Sequence, residues 1–219
     1  MAVGLVLSGG GIRGVAHIGV LKALNEEKIR VDLISGTSAG SIIAGLYACG
    51  YNPEEMRILA NMVSRRYIDI DYLGIIDSLC NVLLHRPFRM SGLIRGNRLE
   101  SLLLHVTKGA RLQDARLSLA IVAVDINNTN IVVFSNCRHS LLRRSDYIYV
   151  NDATIAAAIR ASIAIPGIFS PKIYKNMRLV DGGIRANLPV EIIRLMGARK
   201  VLAVNLVYSG TPQPSVNNA

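Results

Sequence analysis

The chain contains no tryptophan, three phenylalanines and eight tyrosines, and it has only three cysteines. Cys49, Cys80 and Cys137 are odd in number and widely spaced, which predicts neither a disulfide framework nor a metal site. A reducing compartment is the simpler environment for such thiols. Nucleic-acid surfaces usually interleave aromatic side chains with basic ones for base stacking, so the shortage of aromatics argues against a nucleic-acid partner.

Long apolar segments are missing as well. Hydrophobic residues make up 51% of the chain, yet no stretch of about 18 residues is free of polar interruption, so we predict no transmembrane helix. The first residues lack the basic and apolar regions of a signal peptide. We therefore expect a cytoplasmic protein whose contact with a membrane, if it has one, is peripheral.

Acidic residues are scarce, because 25 lysines and arginines face 15 aspartates and glutamates, for a net charge of +10 at pH 7. This balance favours an anionic partner, such as a phospholipid surface or a nucleic acid. Two interpretations of the arginines stay open. They form either an ordinary solvated face or a patch that holds the chain on anionic lipid. They occur in local groups: Arg65 with Arg66, Arg86 with Arg89, Arg95 with Arg98, and Arg143 with Arg144.

Strand-like and helix-like segments alternate, which predicts an α/β fold with a mostly parallel sheet. We predict strands at 3–7, 31–35, 118–126, 130–135, 177–181 and 199–207. We predict helices at 14–27, 38–49, 53–64, 97–106, 152–161 and 188–196. Two helices carry a cap residue followed by a glutamate, namely Asn52 with Glu55 and Asn97 with Glu100. The close strand pair at 118–126 and 130–135 is predicted to be a hairpin.

Three glycine-containing motifs point to chemistry. The first is Gly36-Thr37-Ser38-Ala39-Gly40, which follows an apolar run and precedes a segment compatible with a helix. This Gly-x-Ser-x-Gly pattern is typical of a nucleophile elbow, where a serine lies on a sharp turn between a strand and a helix. Gly36 and Gly40 permit the tight backbone path and leave the Ser38 hydroxyl uncrowded.

The second motif is the loop Gly9-Gly10-Gly11-Ile12-Arg13-Gly14 between a predicted strand and a predicted helix. Such a loop directs backbone N–H groups at an anion, either a phosphate or the oxyanion of an acyl intermediate. The spacing fits a dinucleotide fingerprint, but Asp32 begins the next strand instead of ending it, and no Walker lysine follows. A tight turn without a ligand is the third interpretation.

The third motif is Asp181-Gly182-Gly183 at the end of an apolar run. A serine nucleophile needs a base within hydrogen-bonding reach, usually a histidine. An α/β-hydrolase places its catalytic histidine after the acid, but no histidine follows Asp181 in this chain. None stands at a strand end beside glycines either. The four histidines are His17, His85, His105 and His139. A Ser–Asp dyad is the economical alternative, since partial burial can make a carboxylate a usable base. A plain Asp-Gly turn also fits.

In this order the three motifs resemble those of the patatin-like phospholipase family. Segments 121–125, 161–171 and 180–189 are similar to the family too, so the resemblance covers nearly the whole chain. It implies a three-layer α/β/α fold with a mostly parallel sheet. It also implies hydrolysis of a lipid acyl ester, with no metal or organic cofactor.

The resemblance assigns roles within the motifs. Ser38 would be the nucleophile and Asp181 its base, with Gly182 and Gly183 completing the acid motif. Backbone N–H groups at Gly10, Gly11 and Ile12, within the loop from Gly9 to Gly14, would hold the oxyanion. Arg13 would neutralise a nearby carboxylate or phosphate, or brace the loop.

The implied substrate is a phospholipid or another acyl-ester lipid, with an anionic membrane surface as a peripheral partner. The alternative is a non-catalytic protein that binds a nucleotide or a lipid headgroup through the glycine-rich loop. The sequence does not indicate an oligomeric state, and it does not favour one headgroup or acyl chain.

The length suits one catalytic domain, which we place at residues 1–208. Residues 209–219 are rich in proline, serine and asparagine and are predicted to be a flexible tail. Residues 65–96 fit the strand–helix alternation poorly. They are either a lid over the Ser38 cleft that meets lipid, or an ordinary helical insertion.

Overall fold

The computed structural model describes residues 2–62, 92–137 and 144–207. Most of the predicted lid or insertion at 65–96 lies outside these ranges, and so does the predicted tail at 209–219. Both stay predictions, as does the single domain at 1–208.

Within the described ranges, eight strands form one sheet in the order β5-β4-β3-β2-β1-β8, and β7 pairs with both β3 and β6. Neighbours β3, β2, β1 and β8 run parallel, and β5 runs parallel to β4, whereas β4 and β7 are antiparallel to β3. This arrangement confirms the mostly parallel sheet and the hairpin. The strands are β1 (Val3–Leu7), β2 (Leu33–Thr37), β3 (Ser118–Asp125), β4 (Ile131–Ser135), β5 (Tyr147–Val150), β6 (Lys172–Tyr174), β7 (Met177–Asp181) and β8 (Lys200–Val204).

Helices cover both faces of the sheet. A 3₁₀ turn at Gly11–Val15 leads directly into the first helix, and a second 3₁₀ turn lies at Leu112–Asp114. No helix in the described ranges has the length and apolar character needed to cross a membrane. The helices are α1 (Ala16–Glu26), α2 (Ala39–Ala48), α3 (Pro53–Met62), α4 (Asn97–Val106), α5 (Ile155–Ser162), α6 (Gly183–Ala186) and α7 (Val190–Leu195).

Two apolar clusters, one on each face, make up the core. Leu5 and Leu7 of β1 belong to the cluster that includes residues of α1, α2 and α5. Val6, between them, belongs to the other cluster with Ile192 and Ile193 of α7. Successive side chains of a strand point to opposite faces. Because both faces are buried, the central strands are continuous apolar runs in the sequence.

The sequence missed three short elements: β5, β6 and α6. The run Tyr147–Val150 alternates aromatic and β-branched residues, a strand signal that the prediction overlooked. One predicted cap is also wrong. α4 is capped by Gly96, whose φ of 76° is left-handed, and Glu100 instead binds the Nζ of Lys172 at 2.6 Å.

Candidate active site

The turn between β2 and α2 places Ser38 in a strained conformation, with φ 52° and ψ −127°. Positive φ is uncommon for residues with a side chain and concentrates at functional sites. A Cβ on Gly36 would collide with the Gly40 carbonyl, and a Cβ on Gly40 with the Leu7 carbonyl. The two glycines of the predicted elbow are therefore required by close backbone approach.

Asp181 lies at the end of β7, and the nearby Ser38 hydroxyl acts on its carboxyl by favouring the ionised form. Both side chains are buried, at 7% exposure for Ser38 and 5% for Asp181. Burial raises the pKa of the Asp181 carboxyl, and the Ser38 hydroxyl together with the Gly183 N–H, which donates to the carboxyl at 2.7 Å, partly opposes this shift. A carboxylate with a raised pKa is a stronger base, which a Ser–Asp pair requires.

The register of the sheet explains how two distant motifs meet. Along one edge of β3, Thr37 at the end of β2 pairs with Val122, and Asp181 at the end of β7 pairs with Ala123. β2 runs parallel and β7 antiparallel to β3, so the two strands approach end to end. Their terminal residues therefore deliver Ser38 and Asp181 to the same point.

The glycine-rich loop lies beside the elbow, since a Cβ on Gly14 would overlap that of Ala39. The Gly9 N–H donates to the Asn187 carbonyl at 3.2 Å and is occupied. The N–H groups of Gly10, Gly11 and Ile12 make no hydrogen bond to any described residue. These are the groups predicted to hold an oxyanion, and within the described residues they are open to an anion.

Arg13 stands in the same loop with an exposed side chain. Neither a hydrogen bond nor an ion pair joins its guanidinium to the rest of the described chain. The roles predicted for Arg13, to neutralise a nearby anion or to brace the loop, stay predictions. An exposed guanidinium with no partner among the described residues suits an incoming phosphate or carboxylate.

His17 is completely buried, and its Nε2 lies 2.8 Å from the Ser8 carbonyl oxygen. Burial lowers the pKa of this imidazole, while the bond to Ser8 works in the opposite direction. A neutral ring that donates from Nε2 fits this geometry. His17 thus supports the start of the glycine-rich loop. His105 is exposed on α4, and His85 and His139 lie outside the described residues.

Two residues at the site were not singled out in the sequence. Ser162 Oγ accepts the backbone N–H of Ser38 at 2.9 Å. The Asn187 side-chain oxygen lies against both Gly9 and Gly183. Both residues stand inside segments quoted for the family resemblance, at 161–171 and 180–189. That resemblance was the signal that could have directed attention to them.

A family model described as patatin-like phospholipase matches residues 5–194, which contain all three motifs. The chain belongs to the patatin-like phospholipase family. Its mostly parallel sheet covered by helices on both faces is the fold implied by the resemblance.

Members of this family with curated names match across the chain. Identity is 31% over 205 residues with lysophospholipase NTE1 of Lodderomyces elongisporus, covering 94% of this chain and 12% of that protein. It is also 31% over 207 residues with patatin-like phospholipase domain-containing protein ZK370.4 of Caenorhabditis elegans, covering 94% and 14%. The patatin-like chain thus spans only a small part of the length of these relatives.

Two solved structures share the patatin-like chain's fold. VipD from Legionella pneumophila superposes with a TM-score of 0.56 at 18% identity, over 86% of this chain and 47% of VipD. ExoU of Pseudomonas aeruginosa, in its complex with SpcU, gives 0.51 at 22% identity, over 75% and 38%. At these identities the likeness concerns the fold alone.

Proposed function

We propose that this chain hydrolyses an acyl ester of a phospholipid or lysophospholipid, with Ser38 as nucleophile and Asp181 as base. The observation that carries the proposal is that β2 and β7 meet end to end along β3, which places the strained Ser38 beside the buried Asp181 carboxyl, near backbone N–H groups that no described residue occupies. Relatives named lysophospholipases and phospholipases support a lipid ester as the substrate.

In the first half of the reaction, the Ser38 oxygen attacks the ester carbonyl carbon and its proton passes to Asp181. The N–H groups of Gly10 and Gly11, with Ile12 beside them, donate to the negative oxygen that forms. Such donors are worth about 3–4 kcal/mol of transition-state stabilisation each. The tetrahedral intermediate collapses, the ester C–O bond breaks, and protonated Asp181 gives its proton to the departing alcohol. The product is an acyl-enzyme on Ser38.

In the second half, Asp181 takes a proton from water, and the water oxygen attacks the acyl carbon. The same N–H groups hold the second oxyanion. When this intermediate collapses, the bond to the Ser38 oxygen breaks and Asp181 returns the proton to it. A free fatty acid leaves, and the serine hydroxyl is regenerated with one water molecule consumed per ester.

Exposed apolar side chains around the site support peripheral contact with a lipid surface. Ile12 in the glycine-rich loop is 93% exposed and Ile184, which follows the acid motif in α6, is 56% exposed. Leu206 contacts Gly10, so the next residue, the exposed Val207, also lies close to the glycine-rich loop. Large exposed apolar groups near one another mark lipid or protein contacts. The net charge of +10 makes an anionic membrane the fitting partner.

The second candidate is a non-catalytic protein that binds a nucleotide or lipid headgroup. It is favoured by one observation, namely that the three free N–H groups and the exposed Arg13 suit a phosphate as well as an oxyanion. Under this alternative the Ser38 hydroxyl is dispensable, and a Ser38→Ala protein would retain its ligand.

The test is fatty-acid release from mixed phospholipid micelles with EDTA present. We expect Ser38→Ala and Asp181→Asn each to lose at least about a thousandfold in kcat. The matched control is Asp152→Asn, because that exposed aspartate binds Lys175 and Tyr174 away from the dyad. An active Asp181→Asn protein would place the base elsewhere. A wild type that is silent on micelles and soluble esters but binds phosphate would favour the binding protein.

A further inference from the structure

A segment at the end of α5 holds the backbone of both proposed dyad residues. Ser162 Oγ accepts the N–H of Ser38 at 2.9 Å, and the Ala164 carbonyl accepts the N–H of Asp181 at 2.9 Å. We propose that residues 162–164 form a clamp that sets the nucleophile against its base, with Ser162 as a positioning residue. This inference rests on the proposed function.

The Ser162 hydroxyl has a fixed orientation. It is completely buried, and it donates its single proton to the Val122 carbonyl at 2.6 Å. A hydroxyl has one proton and two lone pairs, so a lone pair is left to face the Ser38 N–H. With its proton committed to a backbone carbonyl, Ser162 orients Ser38 and does not compete with it as a nucleophile.

The clamp closes at the junction where β2 and β7 meet. Val122, which accepts the Ser162 proton, pairs with Thr37 directly before the nucleophile. Gly182, directly after the proposed base, packs so closely on the Val122 carbonyl that a Cβ there would collide with it. One carbonyl of β3 therefore contacts the clamp and the acid motif at once.

Ser38 needs such a support because its backbone is strained. A buried N–H without a partner carries a desolvation penalty, and a turn in a sparsely populated conformation persists only when its surroundings hold it. The hydrogen bond that Ser162 accepts meets both needs. It gives the Ser38 N–H a partner, and it fixes the peptide plane that carries the Ser38 side chain. We infer that this plane directs the hydroxyl towards Asp181.

The clamp is itself anchored two residues earlier in α5, at Arg160. Arg160 is almost completely buried, and its Nη2 donates to the Ser170 carbonyl at 2.8 Å and to the carbonyl of Arg95. Its guanidinium also lies over the Phe169 ring, 5.5 Å from the centroid. These contacts join the end of α5 to the segments on either side, so residues 162–164 have little freedom to shift.

The experiment uses a reaction that does not depend on the natural substrate. A fluorophosphonate probe phosphonylates an activated serine, with the serine proton and the fluoride leaving as HF, and intact-mass spectrometry reports the rate at Ser38. We expect Ser162→Ala to slow labelling and the kcat for a short soluble ester by about 10- to 100-fold, because small misplacements of reacting groups have effects of this size. KM should change little, since the ester is bound elsewhere.

The matched control is Ser35→Ala on β2. Ser35 is also completely buried, and its hydroxyl has no hydrogen-bond partner within the described ranges. Its removal breaks no contact to the dyad, so labelling should proceed at the wild-type rate. If Ser35→Ala slows labelling as much as Ser162→Ala does, the effect is a general loosening of the core and the clamp is refuted.

Two further measurements separate positioning from a structural role. In Ser162→Ala the plateau of the pH–rate profile should fall and the midpoint of its acid limb should rise, because a displaced Ser38 hydroxyl no longer lowers the pKa of Asp181. Ser162→Thr keeps the hydroxyl and should recover most of the lost rate. A folded Ser162→Thr protein as slow as Ser162→Ala would overturn the proposal. If Ser162→Ala does not fold, the Ser162→Thr comparison with wild type decides alone.

The outcomes also distinguish this inference from the proposed function. Wild-type Ser38 that labels rapidly, with Ser162→Ala equally rapid, would refute the clamp and leave the dyad standing. Wild-type Ser38 that resists labelling would refute the activated serine, and the clamp with it.

Discussion

At Asp181 two opposing effects act on one carboxyl group. Burial raises its pKa, whereas the Ser38 hydroxyl and the bond from the Gly183 N–H favour the ionised form. The net shift is upward, which means that the folded protein holds this carboxylate at a free-energy cost. Such a cost is common at sites where a side chain is tuned for proton transfer. It has consequences for both activity and stability.

The first consequence is a pH dependence of turnover. A base works only when it is deprotonated, so kcat/KM should fall as the pH drops through the raised pKa of Asp181. We expect the midpoint of this acid limb above about 3.9, the value for an unperturbed aspartate. Initial rates on a soluble ester at a series of pH values measure it. A midpoint at or below the ordinary value would show that another group limits the rate.

The second consequence is that Asp181→Asn should stabilise the fold at neutral pH. The unfolded chain releases the Asp181 proton at a lower pH than the folded chain does, so this residue destabilises the fold progressively as the pH rises between the two pKa values. The gain in the free energy of unfolding for Asp181→Asn should therefore be largest above the folded pKa. It should shrink as the pH falls towards about 3.9.

Urea unfolding of wild type and Asp181→Asn at neutral and at acidic pH checks this expectation. Asp152→Asn is again the control. The pKa of Asp152 is lowered, chiefly by its bond from Lys175, so its replacement should not stabilise the protein at neutral pH. A constant gain for Asp181→Asn at every pH would mean that ionisation is not its cause.

At the scale of elements, the site depends on how closely the loop, the elbow and the first two helices pack. Gly14 touches Ala39 at the start of α2, and Gly40 touches the last residue of β1. Both contacts are possible only because a side chain is absent. In contrast, a Cβ on Gly19, in α1, would meet nothing within 4 Å. Glycines of the same chain thus serve different purposes.

This contrast gives a paired prediction for Gly14 and Gly19. Gly19→Ala should raise the free energy of unfolding by about 0.5–1 kcal/mol, because alanine favours the helix and the space is open. Gly14→Ala should lower it and reduce turnover, because the new methyl group pushes the loop away from the elbow. Urea denaturation with a soluble-ester assay measures both. A stabilised, fully active Gly14→Ala protein would contradict the proposed packing of the loop on the elbow.

At the scale of the whole molecule, the surface around the site combines apolar and basic character. Ile12, Ile184 and Val207 are exposed, and so is Arg13 in the glycine-rich loop. The chain as a whole carries a charge of +10. A lipid surface with anionic headgroups would cover the apolar groups and attract the basic ones.

We expect Ile184→Ser to weaken binding to anionic phospholipid vesicles several-fold, since it removes apolar area that would enter the interface. The measurement is co-sedimentation, made in a Ser38→Ala background so that lipid is not consumed. The control is Ile173→Ser on β6, where the isoleucine is 61% exposed but lies towards the opposite end of β7 from Asp181. Binding should also weaken as salt is raised.

Equal loss of vesicle binding for Ile184→Ser and Ile173→Ser would contradict a membrane contact made specifically by the apolar residues around the site. Unchanged binding in Ile184→Ser would place the membrane contact on another surface. Either result leaves the proposed dyad untouched, because neither isoleucine contributes a reacting group.

The sequence by itself determined the features that depend on local chemistry. Gly36 and Gly40 could be identified from the sequence because only glycine tolerates such close backbone approach. The capping box of α3 forms as predicted, with Asn52 and Glu55 bonded reciprocally at 2.8 and 2.9 Å. The central strands were recognisable because burial on both faces leaves continuous apolar runs. From these motifs the family and the fold class followed.

The tertiary structure alone decided which distant residues meet. Ser38 bonds Ser162, 124 positions away in the chain, and Thr37 bonds the Ala186 carbonyl, 149 positions away. No local pattern encodes such pairs, because they depend on the register with which β2 and β7 approach along β3. Serine and asparagine are ordinary residues in a loop or at a helix end, and only packing gives Ser162 and Asn187 their places beside the site.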